Sequence, residues 1–277
     1  MKFTKMHGCG NDYIYVNCFE ETVQHPEELA VRLSDRHYGI GSDGLILIEP
    51  SDRADAYMHM FNQDGSEGSM CGNGIRCVAK YIYDHHLIPE DRRYAVIDTK
   101  AGLREIEFTV TDGKLTEATV DMGIARLDGS CPEPITVRGV DLQFIGIDIG
   151  NPHAVYFLED NPVLRSFGGL SELPLEEMGK DFEEHERFPD KVNSEFIEII
   201  SPGEILFRVW ERGSGETLAC GTGASAAAAA GILAGKLQEP VLVHLLGGDL
   251  IIRYDQETGR CFMTGPAEEV YTGWIDC

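Results

Sequence analysis

Met70-Cys71-Gly72-Asn73-Gly74 is the stretch around which the chain is organised, and Ala219-Cys220-Gly221-Thr222-Gly223 is its second copy. In each copy a cysteine is followed by Gly-x-Gly and then by a run with helical character, 75–86 after the first and 224–236 after the second. The cysteine therefore falls at a helix N-terminus. Free backbone N–H groups and the positive end of the helix dipole gather there, which favours a thiolate and any carboxylate bound beside it. Two such cysteines facing one carbon could remove a proton from one side and return one from the other.

Outward from the two copies the flanking order repeats as well. A strand-like run at 56–61 enters the turn Asn62-Gln63-Asp64-Gly65 before the first copy, and one at 205–210 enters Glu211-Arg212-Gly213-Ser214-Gly215-Glu216-Thr217 before the second. Gly65-Ser66-Glu67 is echoed by Gly215-Glu216. Gly10-Asn11-Asp12 precedes a strand at 13–16, as Gly150-Asn151-Pro152-His153 precedes one at 154–157. This order reads as an internal duplication at about half the chain, too long a period for a solenoid. Between these landmarks, 26–37 reads as a helix with Pro26 in its first turn, and 45–48 as an apolar strand. Asp112-Gly113 is a hairpin turn, and the acidic region 158–189 reads as loops and short helices. Residues 225–230 are all small, so a helix there is narrow enough for a sheet to wrap closely around it.

The 277 residues suffice for two modest domains or one large one. Twenty-three basic residues against 47 acidic give a net charge of −24, which repels nucleic acid and anionic membranes. The N-terminal residues lack the apolar core of a signal peptide, and no apolar run approaches the ~20 residues of a membrane span. Eight cysteines without a CxxC pair or regular spacing point to a cytoplasmic chain with reduced thiols. Cys9, Cys18, Cys77, Cys131, Cys261 and Cys277 read as buried or incidental thiols.

Removing the α-proton of an amino acid without a cofactor needs a base of suitable pKa, N–H donors aimed at the carboxylate, and exclusion of water. A free thiol, with a pKa near ~8.5, is ionised to only about a few per cent at pH 7, and a helix N-terminus lowers that value. The N–H groups of Gly72, Asn73, Gly221 and Thr222 are placed to clamp the carboxylate, and their glycines allow a close approach. One cysteine would act as thiolate base and the other as thiol acid, titrating as a coupled unit and exchanging roles in the reverse direction. His153, taken alone, reads as a satisfied structural histidine; beside Asn151-Pro152 it becomes a candidate for tuning a thiol. Glu211 and Arg212 read either as a surface ion pair or as recognition of an ammonium and a carboxylate. Three other readings compete: a Cys71–Cys220 disulfide, a metal site without ligands at the right spacing, and a loose dinucleotide fingerprint at 221–226 in poor context.

The motifs together resemble one family, diaminopimelate epimerase, cofactor-independent enzymes that interconvert LL- and meso-diaminopimelate. The resemblance is carried by residues 6–12, 61–67, 71–74 and 150–153, by His185-Glu186-Arg187-Phe188-Pro189 with Val192-Asn193, and by 211–217 with 219–223. It implies an α+β fold of two pseudo-symmetric domains, each a curved, mostly antiparallel sheet wrapped around a central helix, with the active site in the cleft between them. The expected domains are 1–118, joined by 265–277, and 119–264. The resemblance implies Cys71 and Cys220 as the acid/base pair, and Asn11, Asn62, Asn151, Asn193, Glu211 and Arg212 as substrate contacts. The backbones of Gly72, Asn73, Gly221 and Thr222 would hold the reacting carboxylate; His153 and Glu211 are, on the reading of the residues, the candidates for tuning the thiols.

No cofactor and no metal are implied. The expected partner is a diamino dicarboxylic acid in lysine and peptidoglycan precursor synthesis, with no nucleic acid or membrane, and a homodimer remains open. One departure stands at Gly44, where some members carry a glutamine, so that side-chain contact is missing here. Rival readings are a related racemase of proline, hydroxyproline or histidine, and a non-catalytic amino-acid binding protein.

Overall fold

The computed structural model describes residues 1–276; Cys277 lies outside the described residues. The chain forms two compact units, Met1–Val120 with Thr264–Cys277 and Asp121–Met263. The first holds β1 (Lys2–Gly8), β2 (Asn11–Asn17), α1 (Pro26–Ser34), β3 (Gly44–Glu49), β4 (Ala56–Asn62) and β5 (Glu67–Gly68). It continues through α2 (Gly72–Asp84), β6 (Tyr94–Thr99), β7 (Arg104–Thr111) and β8 (Lys114–Ile124), whose last residues enter the second unit. The second unit holds β9 (Arg126–Val137), β10 (Val140–Asp148), β11 (Pro152–Phe157), α3 (Pro162–Arg165), a 3-10 turn, α4 (Leu175–Glu183) and β12 (Asn193–Ser201). Then come β13 (Glu204–Glu211), β14 (Gly215–Glu216), α5 (Gly221–Leu233), β15 (Val241–Leu245), β16 (Gly248–Tyr254) and β17 (Arg260–Pro266). β17 leads back to the first unit, where β18 (Glu268–Trp274) pairs antiparallel with β1.

The two units use one order of pairing. In the first, β1–β2 and β3–β4 are antiparallel, β2–β3 and β4–β6 are parallel, and β5 folds back on β4. In the second, β10–β11 and β12–β13 are antiparallel, β11–β12 and β13–β15 are parallel, and β14 folds back on β13. Parallel neighbours require a crossover. The crossover from β4 to β6 is α2, and that from β13 to β15 is α5.

Each crossover helix is the core of its unit. Residues 73–84 of α2 and 223–232 of α5 are buried. α5 does this with Gly, Ala and Ser up to Gly231, and then Ile232, and strands β10, β11, β12, β15 and β16 close on it. A helix buried on all sides carries no amphipathic stripe. α2 buries three charged side chains, Arg76, Lys80 and Asp84, and the last two pair with each other and with the next hairpin. Lys80 Nζ is 2.8 Å from Asp84 and donates to Leu115 O at 2.6 Å, while Asp84 accepts the Leu115 N–H at 2.9 Å. Outside the central helices, α1 packs Leu29, Ala30 and Leu33 onto Ile14, Leu45 and Phe61. α4 packs Phe182 edge-on against Tyr156 and Phe196.

The central helices begin earlier than the helical runs in the sequence indicate, because cysteine is the N-cap and the glycines form the first turn. They end earlier because His86, at φ 59°, and Gly235, at φ 69°, turn left-handed and close the last turn. α1 stops at Ser34, short of residue 37, because Asp35 is extended and its carboxylate takes the His37 and Tyr38 N–H groups at 2.7 Å. β1, most of β9 and β18 mix polar and apolar residues without a clear alternation and were not legible as strands. No helix among the described residues is long and apolar enough to cross a membrane.

The tight fit of α5 is testable. Ala228 is 0% exposed, so Ala228→Leu should destabilise the fold by about 1–3 kcal/mol in urea unfolding, as overpacking does. Leu233→Ala at the exposed end of α5 should change stability by less than about 1 kcal/mol.

Candidate active site

The candidate site residues of the first unit are built on the N-terminus of α2. Cys71 is extended, with φ −130° and ψ 121°, and its Sγ accepts the Gly74 N–H at 3.4 Å. The first intrahelical bond runs from Ile75 N–H to Cys71 O at 2.9 Å, so the N–H groups of Gly72 and Asn73 have no acceptor within the helix. Cys71 Sγ donates to Asn11 Oδ1 at 3.4 Å, and Asn73 Nδ2 donates to the same oxygen at 3.4 Å. Asn11 is fixed in turn by its Nδ2, which donates to Asp43 at 2.7 Å. Burial, and then the neighbouring Asp12, push the Asp43 carboxyl up. The Tyr13 phenol is pushed far up by burial and by the charge that a Cys71 thiolate places beside it, so it stays neutral. Asn62, at the end of β4, donates to Ser66 Oγ at 3.0 Å.

The second half repeats the cap and changes its surroundings. Cys220, with φ −128° and ψ 106°, accepts the Gly223 N–H at 3.4 Å, and its Sγ is 3.5 Å from the Thr222 hydroxyl. Cys220 is buried where Cys71 is half-buried. Glu211 faces it and accepts a short hydrogen bond from the Thr217 hydroxyl. Burial pushes the Glu211 carboxyl up, against the bonds from Thr217 and Cys220 that pull it down. His153 is buried, with Nδ1 2.7 Å from Glu195 and Nε2 3.0 Å from Asn151 Oδ1. Asn193 Oδ1 accepts the Arg212 N–H at 2.8 Å, and Arg212 itself is exposed and donates to Asp190 O at 3.0 Å. Asn193 thus holds the loop that carries Glu211 and Arg212.

Burial pushes the Cys220 thiol well up, and the charges of Glu211 and Glu195 add to it. Thr222 and the Gly223 N–H pull the other way and are outweighed. The helix terminus alone would favour a thiolate. At Cys220 desolvation and two carboxylates reverse that expectation.

The structure brings Cys71, Asn11, Gly72 and Asn73 together in one unit. In the other it gathers Cys220, Glu211, His153, Asn151, Gly221 and Thr222, with Asn193 at the start of β12 and Arg212 in the loop after β13. Sequence reasoning missed Tyr13, Asp43 and Glu195. Glu195 lies in the strand that continues into 196–200, and only the register of the duplicated halves would have marked it. At Gly44 a Cβ would lie 2.1 Å from the Phe61 carbonyl oxygen, so this backbone accepts no side chain there. The described cysteines form no disulfide.

The diaminopimelate epimerase family model matches residues 3–127 and 145–270, and each matched stretch contains one of the two cysteines. A protein named diaminopimelate epimerase from Agathobacter rectalis is 48% identical over 294 residues, covering 100% of this chain and 99% of that protein. This chain belongs to the diaminopimelate epimerase family. A second diaminopimelate epimerase, from Methanococcus maripaludis, is 47% identical over 287 residues with 100% of both chains covered. Among solved structures, a probable proline racemase from Agrobacterium radiobacter with bound carbonate is similar at TM-score 0.72 and 16% identity, covering 99% of this chain and 92% of that one. A PhzF-family protein from Bacillus anthracis is similar at TM-score 0.69 and 16% identity, covering 100% and 99%. Those two likenesses are of fold. The diaminopimelate epimerase family membership rests on the sequence matches.

The charges around Cys220 give a pH signature. Alkylation of the Cys220 peptide by iodoacetamide, followed by mass spectrometry, should rise only at pH above the range of an ordinary thiol. Glu211→Gln removes one of the opposing charges and should move that rise to lower pH. An unmoved profile would exclude Glu211 as a source of the shift.

Proposed function

We propose that the protein interconverts LL-2,6-diaminopimelate and meso-diaminopimelate by cofactor-independent transfer of the α-proton between two thiols. The observation that carries the reading is the match, across the whole chain, to proteins named diaminopimelate epimerase. The geometry of each half supports the chemistry. With Cys220 resting as the thiol acid, Cys71 is the base, acting once it has lost the proton that it otherwise donates to Asn11 Oδ1. The Cys71 thiolate takes the α-proton, and the electron pair of the broken C–H bond passes into the carboxylate as enolate character. The N–H groups of Gly72, Asn73, Gly221 and Thr222 stabilise that charge. Cys220 then delivers its proton to the opposite face of the carbon. The product leaves with Cys71 as thiol and Cys220 as thiolate, the state from which the reverse reaction starts.

Asn11, Asn62, Asn151, Asn193, Glu211 and Arg212 would hold the amino acid, several of them at the non-reacting centre. The reaction would serve lysine and peptidoglycan precursor synthesis in the cytoplasm.

Incubation of the reduced protein with LL-diaminopimelate in deuterated water, without pyridoxal phosphate, should give the meso isomer with deuterium at one α-carbon. Absence of exchange, or exchange into proline or histidine instead, would overturn the substrate assignment. Cys71→Ser and Cys220→Ser should each abolish epimerisation, and full turnover by either variant would end the two-thiol scheme.

Arg212→Ala should raise KM by about tenfold or more, the scale of a lost charged hydrogen bond, with a smaller effect on kcat. An unchanged KM would remove Arg212 from substrate recognition.

A further inference from the structure

Glu195 is a buried carboxylate that no substrate contact explains. Its side chain and that of His153 are both 0% exposed, with Oε1 2.7 Å from Nδ1. Its Oε2 is also buried and has no hydrogen-bond partner. The other ring nitrogen of His153 bonds Asn151 Oδ1 at 3.0 Å. A Cβ placed on Gly223 would lie 2.8 Å from Glu195 Oε1 and 3.2 Å from Cys220 Sγ, so carboxylate and thiol converge on the first turn of α5. A buried charge is costly even when paired, and one with an unpaired oxygen more so.

The fold does not require a carboxylate there. In the first unit Tyr13 stands opposite Gly44, and Ile46, two residues on, stands opposite Met60. In the second unit His153 stands opposite Asn193, and Glu195, two residues on, stands opposite Val209. Gly74 is packed by Ile46 in the first unit as Gly223 is packed by Glu195 in the second. The same strand register therefore carries Tyr13 and Ile46 in one half and His153 and Glu195 in the other. An apolar residue serves the packing of the first, so the polar pair answers to something other than folding.

We propose that Glu195 is a positioning residue: it accepts the Nδ1–H of His153 and so holds the ring with both nitrogens protonated, and the Nε2–H donates to Asn151 Oδ1 and fixes that carboxamide toward the substrate. The inference rests on the reading that Asn151 contacts the diamino dicarboxylic acid. The relay is Glu195 Oε1, His153 Nδ1, His153 Nε2 and Asn151 Oδ1. It lies wholly within the second unit; in the first, Tyr13 bonds Asn11 in the place of His153 and Asn151, and Ile46 stands where the carboxylate would be.

The test uses the full-length protein with Glu195→Gln, Glu195→Ile and the double variant Glu195→Ile with His153→Tyr, which places the first unit's pair in the second. In proton–nitrogen NMR the wild type should show a far-downfield, exchange-protected Nδ1 proton on His153. That proton should vanish in Glu195→Ile, and the Asn151 side-chain amide resonance should move with it. Loss of the acceptor should lower kcat/KM about tenfold in Glu195→Gln and about a hundredfold in Glu195→Ile, with KM rising in both, as misplacement of a contact group does. Thermal midpoints of the variants should stay close to that of the wild type.

A lowered midpoint with unchanged KM in the folded fraction would mean that Glu195 is structural and would overturn the proposal. So would a wild type without the Nδ1 proton, a reading that needs no variant to fold. If the wild type does not epimerise diaminopimelate, the functional reading fails by itself. The Nδ1 and Asn151 resonances still decide whether Glu195 holds the relay.

Discussion

A helix buried along nearly its whole length still has first-turn N–H groups to satisfy, and in both halves of this protein a cysteine sulfur meets that constraint. Gly74 N–H and Gly223 N–H each bond the sulfur three residues before them at 3.4 Å. Oxygen-bearing side chains usually fill this position. A thiol fills it with a group that can also lose and regain a proton. The cap thereby places an acid/base group at the positive end of a helix, next to N–H donors that suit a carboxylate. The crossover connection, the small residues of α5 and the paired charges inside α2 all serve to keep those helix ends in place.

The duplication supplies two such caps, and the neighbours make them different. Cys71 is half-buried and bonds Asn11, while Cys220 is buried and faces Glu211 and Glu195. Burial and negative charge both favour the protonated thiol. The second half therefore favours a protonated thiol, which is the state that the proposed two-thiol reaction would need in one of its cysteines. Asymmetry within a symmetric framework comes from a few side chains. Ile46 and Glu195 occupy equivalent places on equivalent strands, and one packs a helix while the other holds a histidine.

Much of this was legible before the structure. The two Cys-Gly-x-Gly copies marked both central helices, and the Gly-Asn turns marked β2 and β11. The helix starts were misplaced by three residues because glycine reads as a breaker, and only the cap geometry shows it inside the first turn. β18 was missed because its residues are mostly exposed and show no alternation of burial. Asn193, expected at the substrate, spends its carbonyl on the Arg212 backbone, an arrangement that no spacing rule reports.

The sequence by itself determined the duplication, the two cysteines at helix ends, the strand-turn-helix order and the family, because each is written in local chemistry: turn residues, caps and short-range spacing. The tertiary structure alone decided which thiol lies among carboxylates, that Gly44 has no room for a side chain, and that Glu195 meets His153. Those facts depend on strand register, which sets residues far apart in the chain within about 3 Å of one another. Desolvation, which outweighs the helix dipole at Cys220, exists only once the surrounding strands have closed.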